Sequence, residues 1–421
     1  MHLNARARSD LLRMSRRATL AQAMAKYGIA LRSDNYSLSR PGAAGPEFLL
    51  DTPLQKALSE YARQSGMILP AFVELVRGQT ADEYRPNKNL VPGVLNEVCK
   101  GYAHLEELQR IVQGGVEVRL SKPPARQVQR PPNHGSARDR LNVLRKNIRK
   151  EQDAGRCLVL DRDLLKQWPE IIISPFGVVG KGNEDANVSG RTIHDLSYPE
   201  GTSINDYTDQ DSITKPEYTH CYAVAAEILR SKHAHPRTRV CVMAGDVASA
   251  FRNISIHSNS VYLFGDHIEE DDVIVIELAA PFGWTGPPGF YEIAGGAVAC
   301  VHGSHTTGEY PGGVFNYHWV NDHINVAADI GTSCEDVDRS LRYAMVAVLG
   351  ADAINTKKFT DWNTRQRVLG LMFDTVAETV SMPTEKIIKA RNIVAAAVCA
   401  DAKVIFSGFS VFRLRRTCNK T

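Results

Sequence analysis

Two short segments constrain the fold of this chain most, because each places a carboxylate beside a run of apolar residues. Residues 239–246 are an apolar, β-branched run that ends at Asp246. Residues 315–327 contain two further apolar runs, one on each side of Asp322. Short apolar runs bounded by turn residues are typical of buried strands and hairpins. We therefore predict a strand that ends at Asp246 and a β-hairpin with Asp322 at its tip.

Paired carboxylates at strand ends indicate a site for divalent cations. Two cations about 4 Å apart can activate a 3′-hydroxyl group and stabilise a leaving pyrophosphate. The pair of segments therefore predicts nucleotidyl transfer with two Mg²⁺ ions, for which Mn²⁺ can substitute. Asn321 stands directly before Asp322, where this chemistry favours a second hairpin aspartate.

Length and charge set only wide bounds. A chain of 421 residues can hold two or three domains, and its formal net charge is only +3. The distribution of charge is more informative, because residues 1–17 and 123–150 are locally basic. Local basic segments suit phosphate contacts, although a solvated basic surface is the alternative for either one.

The cysteine and hydropathy patterns predict an intracellular protein without a membrane partner. The eight cysteines are scattered, with no CxxC pair, which favours a reducing compartment. No apolar run approaches the roughly 20 residues that span a bilayer. The Arg-rich, acid-poor N-terminus has the composition of a mitochondrial transit peptide but lacks a sustained apolar face.

Composition and periodicity divide the chain into five predicted regions. These are a basic, disordered segment at 1–50, a small helical region at 51–121, a Pro/Arg-rich linker at 122–135, an α+β domain at 136–400 and an atypical tail at 401–421. A basic helix is predicted over residues 136–152 at the start of the α+β domain.

Within the α+β domain, the order of predicted elements is that of a polymerase palm. The predicted helices are 161–168, 218–231, 287–301, 333–349 and 383–398. The predicted strands and hairpins are 171–179, 191–196, 239–246, 261–264 with 273–278, 315–320 with 324–327, and 368–373 with 379–382. The predicted fold is a fingers–palm domain with an antiparallel palm sheet and helices on one face, preceded by the helical N-terminal region.

Several motifs in this order resemble the reverse transcriptase domain of retrotransposons, with gypsy-type and DIRS-type flavour. The resemblance covers residues 133–400. It rests on SPFGVVGK at 174–181, RTIHDLS at 191–197, GTSIND at 201–206, GDVASAF at 245–251, PFGWTGPP at 281–288, YHWVNDH at 317–323, and Trp362, Thr364, LGLMFD at 369–374 and TVSMP at 379–383.

The resemblance implies a role for each matching residue in adding dNTPs to a primer on an RNA or DNA template. Asp246 and Asp322 are then the catalytic carboxylates and, with the Val247 carbonyl, the metal ligands. Lys181 and Arg191 bind the triphosphate. The remaining implied sites are the sugar gate at Phe251, the nascent base pair loop at Phe282 and Gly283, and the primer grip at Leu369 and Gly370.

One substitution departs from the family pattern at its most demanding position. Asn321 replaces the first hairpin aspartate, and an amide offers one weak oxygen donor and no charge. The sequence therefore predicts an impaired polymerase. A catalytically inactive nucleic-acid-binding remnant of a retroelement is the alternative.

Other functional classes have less support. Cys300 and its neighbouring histidines match no usual closed zinc site. A serine hydrolase would need a Gly-x-Ser-x-Gly turn, and a palm-fold nucleotide cyclase would need a Gly-Gly-Asp-Glu-Phe-like segment; the chain has neither.

Overall fold

A computed structural model describes residues 2–31, 36–42, 45–182 and 184–399. The α-helices in these ranges are α1 (His2–Ala25), α2 (Thr52–Ser65), α3 (Leu69–Arg77), α4 (Pro92–Val98), α5 (Leu105–Gly114), α6 (Gly135–Asp139), α7 (Leu141–Asp153), α8 (Ile204–Tyr207), α9 (Tyr222–Ala234), α10 (Pro287–Gly303), α11 (Ser333–Leu349) and α12 (Thr384–Cys399). The predicted tail at 401–421 lies outside the described residues.

The strands are short and pair only antiparallel in five small sheets within the described ranges. They are β1 (Ser39–Gly42), β2 (Gly45–Phe48), β3 (Cys157–Asp161), β4 (Phe176–Val179), β5 (Arg191–His194), β6 (Val240–Asp246), β7 (Gly265–Ile268), β8 (Val273–Glu277), β9 (Tyr317–Trp319), β10 (Asp322–Ala328), β11 (Arg365–Val368), β12 (Leu371–Asp374) and β13 (Thr379–Ser381). The sheet orders are β1-β2, β4-β5, β3-β8-β7, β6-β10-β9 and β11-β12-β13. The predicted mixture of helices and antiparallel sheet is confirmed.

The sheet β6-β10-β9 carries the predicted functional residues. Strand β10 lies in its centre and pairs with β6 along its whole length, from Asp322 opposite Asp246 to Ala328 opposite Val240. Helices α10 and α11 pack against each other, and α11 and α9 both contact β10. Six of the seven residues in each of β6 and β10 are buried, so a shift of register would disturb packing on both faces.

Part of the N-terminal segment that is predicted to be disordered forms a helix. Residues 2–25 form helix α1, whose Leu20 and Met24 are buried in the main core. The Arg, Leu, Ala and Met residues of this segment are strong helix formers, and the two buried side chains add tertiary packing. Composition alone did not predict this packing, because the segment is basic overall.

The predicted small helical region at 51–121 contains α2 to α5, and it is not packed separately. Leu58, Phe72 and Leu108 from these helices belong to the same buried cluster as Met243 and Ile293 of the α+β domain. The N-terminal helices therefore share one hydrophobic core with the elements that follow them.

The Pro/Arg-rich segment at 122–135 has no regular secondary structure before α6 begins, and its polar side chains anchor it to the fold. Gln127 bonds both the carbonyl and the amide of Ile173. Asn133 donates to the His267 carbonyl and accepts from the Phe176 amide. The segment is therefore held in place on strand edges of the α+β domain.

The predicted basic helix exists as α6 and α7, but most of its cations face the protein. Arg145 forms a bidentate ion pair with Asp271. The Lys146 ammonium donates to the Val188 carbonyl at 2.8 Å. Arg149 is only 4% exposed. Internal partners therefore engage these three cations, and the phosphate contacts expected of the basic segment stay a prediction for its exposed cations.

Two predicted elements in the α+β domain are also corrected. The helix predicted at 161–168 is a strand end followed by a 3₁₀-helix, Arg162–Lys166. The strand predicted at 261–264 is the end of a 3₁₀-helix, and the strand begins at Gly265. A Cβ at Gly265 would lie 2.6 Å from the Ile171 side chain, so the strand needs glycine there.

Among the described residues, no helix has the length and apolarity to cross a membrane.

Candidate active site

The structure brings Asp246 and Asp322 together at one end of the β6–β10 pair. The two residues lie directly opposite each other in the antiparallel register. The Asn321 side-chain nitrogen donates to Asp246 Oδ2, and it also donates to Asp322 Oδ1 at 3.3 Å. Two hydrogen bonds that share one nitrogen place these carboxylate oxygens at most about 7 Å apart. The prediction that the carboxylates lie side by side is confirmed.

Three side chains donate hydrogen bonds to the carboxylate of Asp246, which is only 3% exposed. Besides Asn321, the Asn355 amide donates to Oδ1 at 2.6 Å and the Lys358 ammonium donates to Oδ2 at 3.0 Å. A buried carboxylate requires such donors, because its desolvation is otherwise expensive. Both oxygens of Asp246 are therefore engaged by the chain itself.

The position of Asn321 depends on a tight turn between β9 and β10. Trp319 pairs directly with Asp322, so Val320 and Asn321 alone make the connection. Val320 has a φ of 53°, a conformation that is unfavourable for a β-branched residue. The turn also pins Asn321 through its carbonyl, which accepts a bond from the Val247 amide at 2.9 Å. Backbone strain of this kind concentrates at functional sites.

Asp322 is more exposed than Asp246, and its protonation responds to its neighbour. Burial and the charge of Asp246 raise the pKa of Asp322, while the charges of Lys358 and His318 oppose that rise. A carboxylate whose pKa is raised by the charge of a neighbouring carboxylate has unsatisfied negative charge beside it. This electrostatic arrangement favours a bound cation.

Carboxylate and carbonyl oxygens are the ligands that Mg²⁺ and Mn²⁺ prefer. Asp246 and Asp322 supply carboxylates, and the Val247 carbonyl lies in the segment that follows Asp246. Their charge of −2 is reduced to −1 by Lys358, and Asn321 adds none. A single divalent cation would therefore have to displace a donor from Asp246, and two cations would be under-neutralised.

Phe251 belongs to an aromatic wall beside the carboxylates. Its ring centroid lies 5.2 Å from that of Phe282 and 5.9 Å from that of Tyr291. The Tyr291 hydroxyl is buried, and the charges of Asp246 and Asp322 help to raise its pKa. Phe251 itself is half-buried against the main core and 51% of Phe282 is exposed. The wall therefore connects the predicted sugar gate to both carboxylates.

Gly283 lies where two motifs of the sequence meet. Its φ is 112°, and a Cβ there would lie 1.9 Å from the His194 carbonyl oxygen at the end of β5. Asn205 holds the same loop, since it donates to the Gly283 carbonyl at 2.8 Å and accepts from the Thr285 amide at 2.9 Å. The loop at 281–288 is thus fixed between the GTSIND turn and β5.

The two predicted triphosphate ligands lie on the β4–β5 hairpin. Arg191 begins β5 opposite Val179, and its side chain is exposed. Lys181 follows β4 and forms an ion pair with Glu184 at 3.2 Å, with 52% of its side chain exposed. Arg191 is therefore the more available cation of the two.

The predicted primer-grip residues form the turn between β11 and β12. Leu369 and Gly370 both have positive φ, at 53° and 75°. Two consecutive positive φ values are typical of a tight hairpin turn. Lys386 of α12 donates to the Gly370 carbonyl at 3.1 Å, so the hairpin is tied to the helix that follows it.

Sequence reasoning missed Asn355 and Lys358, which are the strongest additions to the site. They lie 109 and 112 residues from Asp246 in the chain, within a segment that has no regular structure. Only their polarity between Ile354 and Phe359 distinguishes them locally. The backbone explains the contact, because the Asn355 amide bonds the Asp246 carbonyl at 3.1 Å.

The comparisons with known proteins give structural likenesses only. No protein-family model matches the chain, and no curated protein matches it in sequence. The foamy viral protease-reverse transcriptase in complex with RNA/DNA hybrid is 12% identical, with a TM-score of 0.44 over 72% of this chain and 37% of that chain.

Two further foamy viral structures behave alike. The dRH form in complex with dsDNA is 12% identical, with a TM-score of 0.44 over 71% of this chain and 48% of that one. The complex of the protease-reverse transcriptase with dsDNA is 13% identical, with a TM-score of 0.43 and coverages of 71% and 57%. The chain thus spans less than two thirds of these proteins, and likenesses at these TM-scores assign it neither a fold nor a function.

Proposed function

We propose that the chain is a reverse-transcriptase-like domain of a retrotransposon that adds dNTPs to a primer 3′-hydroxyl and turns over slowly. The observation that carries the proposal is the register pair of Asp246 and Asp322 at the end of β6 and β10. The motif order supports it, because every segment of the resemblance that bears a predicted site residue lies on or beside a strand end, a tight turn or a loop.

In this proposal β4 and β5 belong to the fingers and β6, β9 and β10 to the palm. Arg191 and Lys181 bind the triphosphate, since a guanidinium and an ammonium neutralise phosphate charge. Phe251 packs on the sugar, and the rigid loop around Gly283 lies against the nascent base pair. The β11–β12 turn at Leu369 and Gly370 contacts the primer strand.

Divalent cations complete the proposed site. Asp246, Asp322 and the Val247 carbonyl would hold them, and bound cations lower the pKa of a 3′-hydroxyl and neutralise pyrophosphate. The slow turnover follows from the side chains on Asp246. Asn321 supplies no charge and Lys358 competes with a cation for Oδ2, so the site holds less negative charge than two cations require.

A catalytically inactive nucleic-acid-binding domain is the second candidate. The engagement of both Asp246 oxygens by Asn321, Asn355 and Lys358 favours it, because this network stabilises the carboxylate without any cation. The two candidates share a primer–template partner and differ in whether Asp246 takes part in synthesis.

Primer extension on an RNA template with the full chain separates the two candidates. The proposal expects slow dNTP incorporation, faster in Mn²⁺ than in Mg²⁺, that Asp246→Ala abolishes. Asp361→Ala removes an exposed carboxylate elsewhere and should leave the rate unchanged. Binding of the duplex without Asp246-dependent incorporation in either metal would instead establish the inactive binding domain.

A further inference from the structure

A second charged site lies close to the Asp246 segment, in a pocket of about 320 Å³. We name it the arginine pocket. Its walls come from α1, from the end of α3 and from residues 248–253, and it includes Arg16 and Arg77. The volume falls at the lower end of the roughly 300–1,000 Å³ of small-molecule sites. The pocket therefore has room for a compact ligand.

The charges that line the arginine pocket do not balance. The lining side chains that carry charge are Arg13, Arg16, Arg77, Lys88, Asp153, Arg156, Arg252 and Asp352. Six of them have ion-pair partners in the structure, namely Asp10 for Arg13, Glu83 for Lys88, Arg149 for Asp153, Glu151 for Arg156, Glu151 and Glu277 for Arg252, and Arg6 for Asp352. Within the described part of the chain, Arg16 and Arg77 have no ion-pair partner.

Arg77 is the more deeply buried of these two cations. It is 3% exposed, and its Nη2 donates to the Leu278 carbonyl at 2.6 Å. Its Nη1 is buried and has no hydrogen-bond partner among the described residues. Burial lowers the pKa of Arg77 to about 9, with Tyr84 and Glu74 opposing the change and the charge of Arg16 adding to it. A buried cationic donor without a partner is costly unless a ligand satisfies it.

Arg16 reaches the pocket because the opposite wall is glycine. A Cβ at Gly155 would lie 3.0 Å from both Nη1 and Nη2 of Arg16, and Gly155 has a φ of 65°. Burial also lowers the pKa of Arg16, and the neighbouring Arg13 adds to the effect. Two guanidinium groups therefore line one pocket, and the two carboxylates that also line it are paired with other arginines.

We propose that the arginine pocket binds a compact phosphorylated anion through Arg16 and Arg77. Planar guanidinium forks match the oxygens of phosphate groups, and such bonds strengthen where water is excluded. A diphosphate group offers enough oxygens to satisfy the free Arg77 donor and the Arg16 fork together. The site is separate from the Asp246–Asp322 pair and does not depend on the proposed polymerase function.

Calorimetric titration of the full chain with inorganic pyrophosphate, in EDTA, tests this site directly. Chelation removes metal–pyrophosphate binding at Asp246 and Asp322. The expected result is saturable binding that Arg16→Gln weakens at least tenfold, since one charge-assisted contact is lost. Arg8→Gln is the matched control, because Arg8 is an exposed arginine of the same helix that does not line the pocket.

A second variant controls for misfolding, and titrations with other phosphates identify the ligand. Arg77→Lys keeps the charge but loses the fork, and it should also weaken binding while the melting temperature reports its fold. Titration with orthophosphate and with dATP shows whether one phosphate suffices and whether a nucleoside is tolerated. Absence of saturable pyrophosphate binding, or equal affinities for Arg16→Gln and Arg8→Gln, would overturn the proposal. Arg16-dependent binding of a DNA duplex without pyrophosphate binding would overturn it in favour of a nucleic-acid contact.

Discussion

The Asp246–Asp322 pair and the arginine pocket differ in whether the chain supplies partners for buried charge. The two sites are close in sequence, since the pocket residue Ser249 follows Asp246 by three residues. At the carboxylates, the chain supplies donors to its own buried charge: Asn321, Asn355 and Lys358 all contact Asp246. In the pocket, Arg16 and Arg77 have no ion-pair partner within the described residues, because the two lining carboxylates pair with other arginines.

The difference separates structural charge from ligand-directed charge. A buried ion that is paired and hydrogen-bonded contributes to a fixed structure, whereas an unpaired one raises the cost of folding until a ligand binds. By this criterion the charge of Asp246 is partly structural, because the chain itself supplies its hydrogen-bond donors. This engagement explains the proposed slow turnover. The arginine pocket keeps its binding capacity.

The largest effect on stability is expected where a buried cation is compensated by several partners. Arg149 donates to Asp153 and to the carbonyls of Tyr36, Ser37 and Leu49. Arg149→Gln should lower the free energy of unfolding by about 2 kcal/mol, because Asp153 and three carbonyls lose the donor that they share. Denaturant unfolding measures the change.

The neighbouring Lys150 is exposed and serves as the matched control for that substitution. Lys150→Gln should leave stability within about 0.5 kcal/mol of the unmodified chain. Lys150→Gln also tests for a phosphate contact. If Lys150 contacts phosphate, the plot of log duplex affinity against log salt concentration becomes less steep by about one in this variant. Equal stabilities of the two variants would show that Arg149 is not a compensated charge.

A smaller effect is expected at the carboxylates when their compensating cation is removed. Lys358→Met should tighten Mn²⁺ binding about fivefold, equivalent to about 1 kcal/mol, because the ammonium no longer occupies Asp246 Oδ2. Lys357→Met removes the adjacent exposed lysine and should change the affinity less than twofold. Calorimetry of both variants measures the difference. Identical Mn²⁺ affinities would mean that Lys358 does not compete with a cation.

The smallest effect concerns substrate choice at the aromatic wall. Phe251→Ala, placed in an Asn321→Asp background, should raise ribonucleotide relative to deoxyribonucleotide incorporation about threefold, because the ring no longer packs on the sugar. Competing single-nucleotide extension measures the ratio. Phe282→Ala is the control from the same aromatic cluster, and it should change overall incorporation without changing the ratio. An unchanged ratio for Phe251→Ala contradicts the gate.

The sequence allowed the carboxylate pair to be predicted because its signals are local. Strand β6 is an apolar run that ends at Asp246, and Asp322 follows a two-residue turn, so pattern and motif pointed to the same elements. Helices α10 and α11 were predicted within a few residues for the same reason. Local apolar period and turn chemistry determine such elements.

The compensation of charge could not be predicted, because it depends on contacts distant in sequence. Lys358 reaches Asp246 from an irregular segment, and Arg16 reaches Arg77 because α1 packs on the end of α3. For the same reason the internal partners of the basic helix could not be predicted. Its Arg145, for example, pairs with Asp271, which lies 126 residues away in the chain. Charge counts along a sequence do not show which charges the fold pairs.

We propose that the neutral amide of Asn321, in place of a carboxylate, limits nucleotidyl transfer at the Asp246–Asp322 pair. Primer extension by purified Asn321→Asp protein on an RNA template in Mg²⁺ tests it most directly. We expect a rate at least about a hundredfold above that of the unmodified chain, equivalent to about 2.7 kcal/mol of transition-state stabilisation.

The same assay needs two controls. Asn321→Asp combined with Asp246→Ala should be inactive, and Asn363→Asp, which adds the same charge at an exposed position, should give the unmodified rate. Equal, Asp246-dependent rates for the unmodified chain and Asn321→Asp would contradict the account, and so would a folded Asn321→Asp protein that binds duplex and Mn²⁺ without extending the primer.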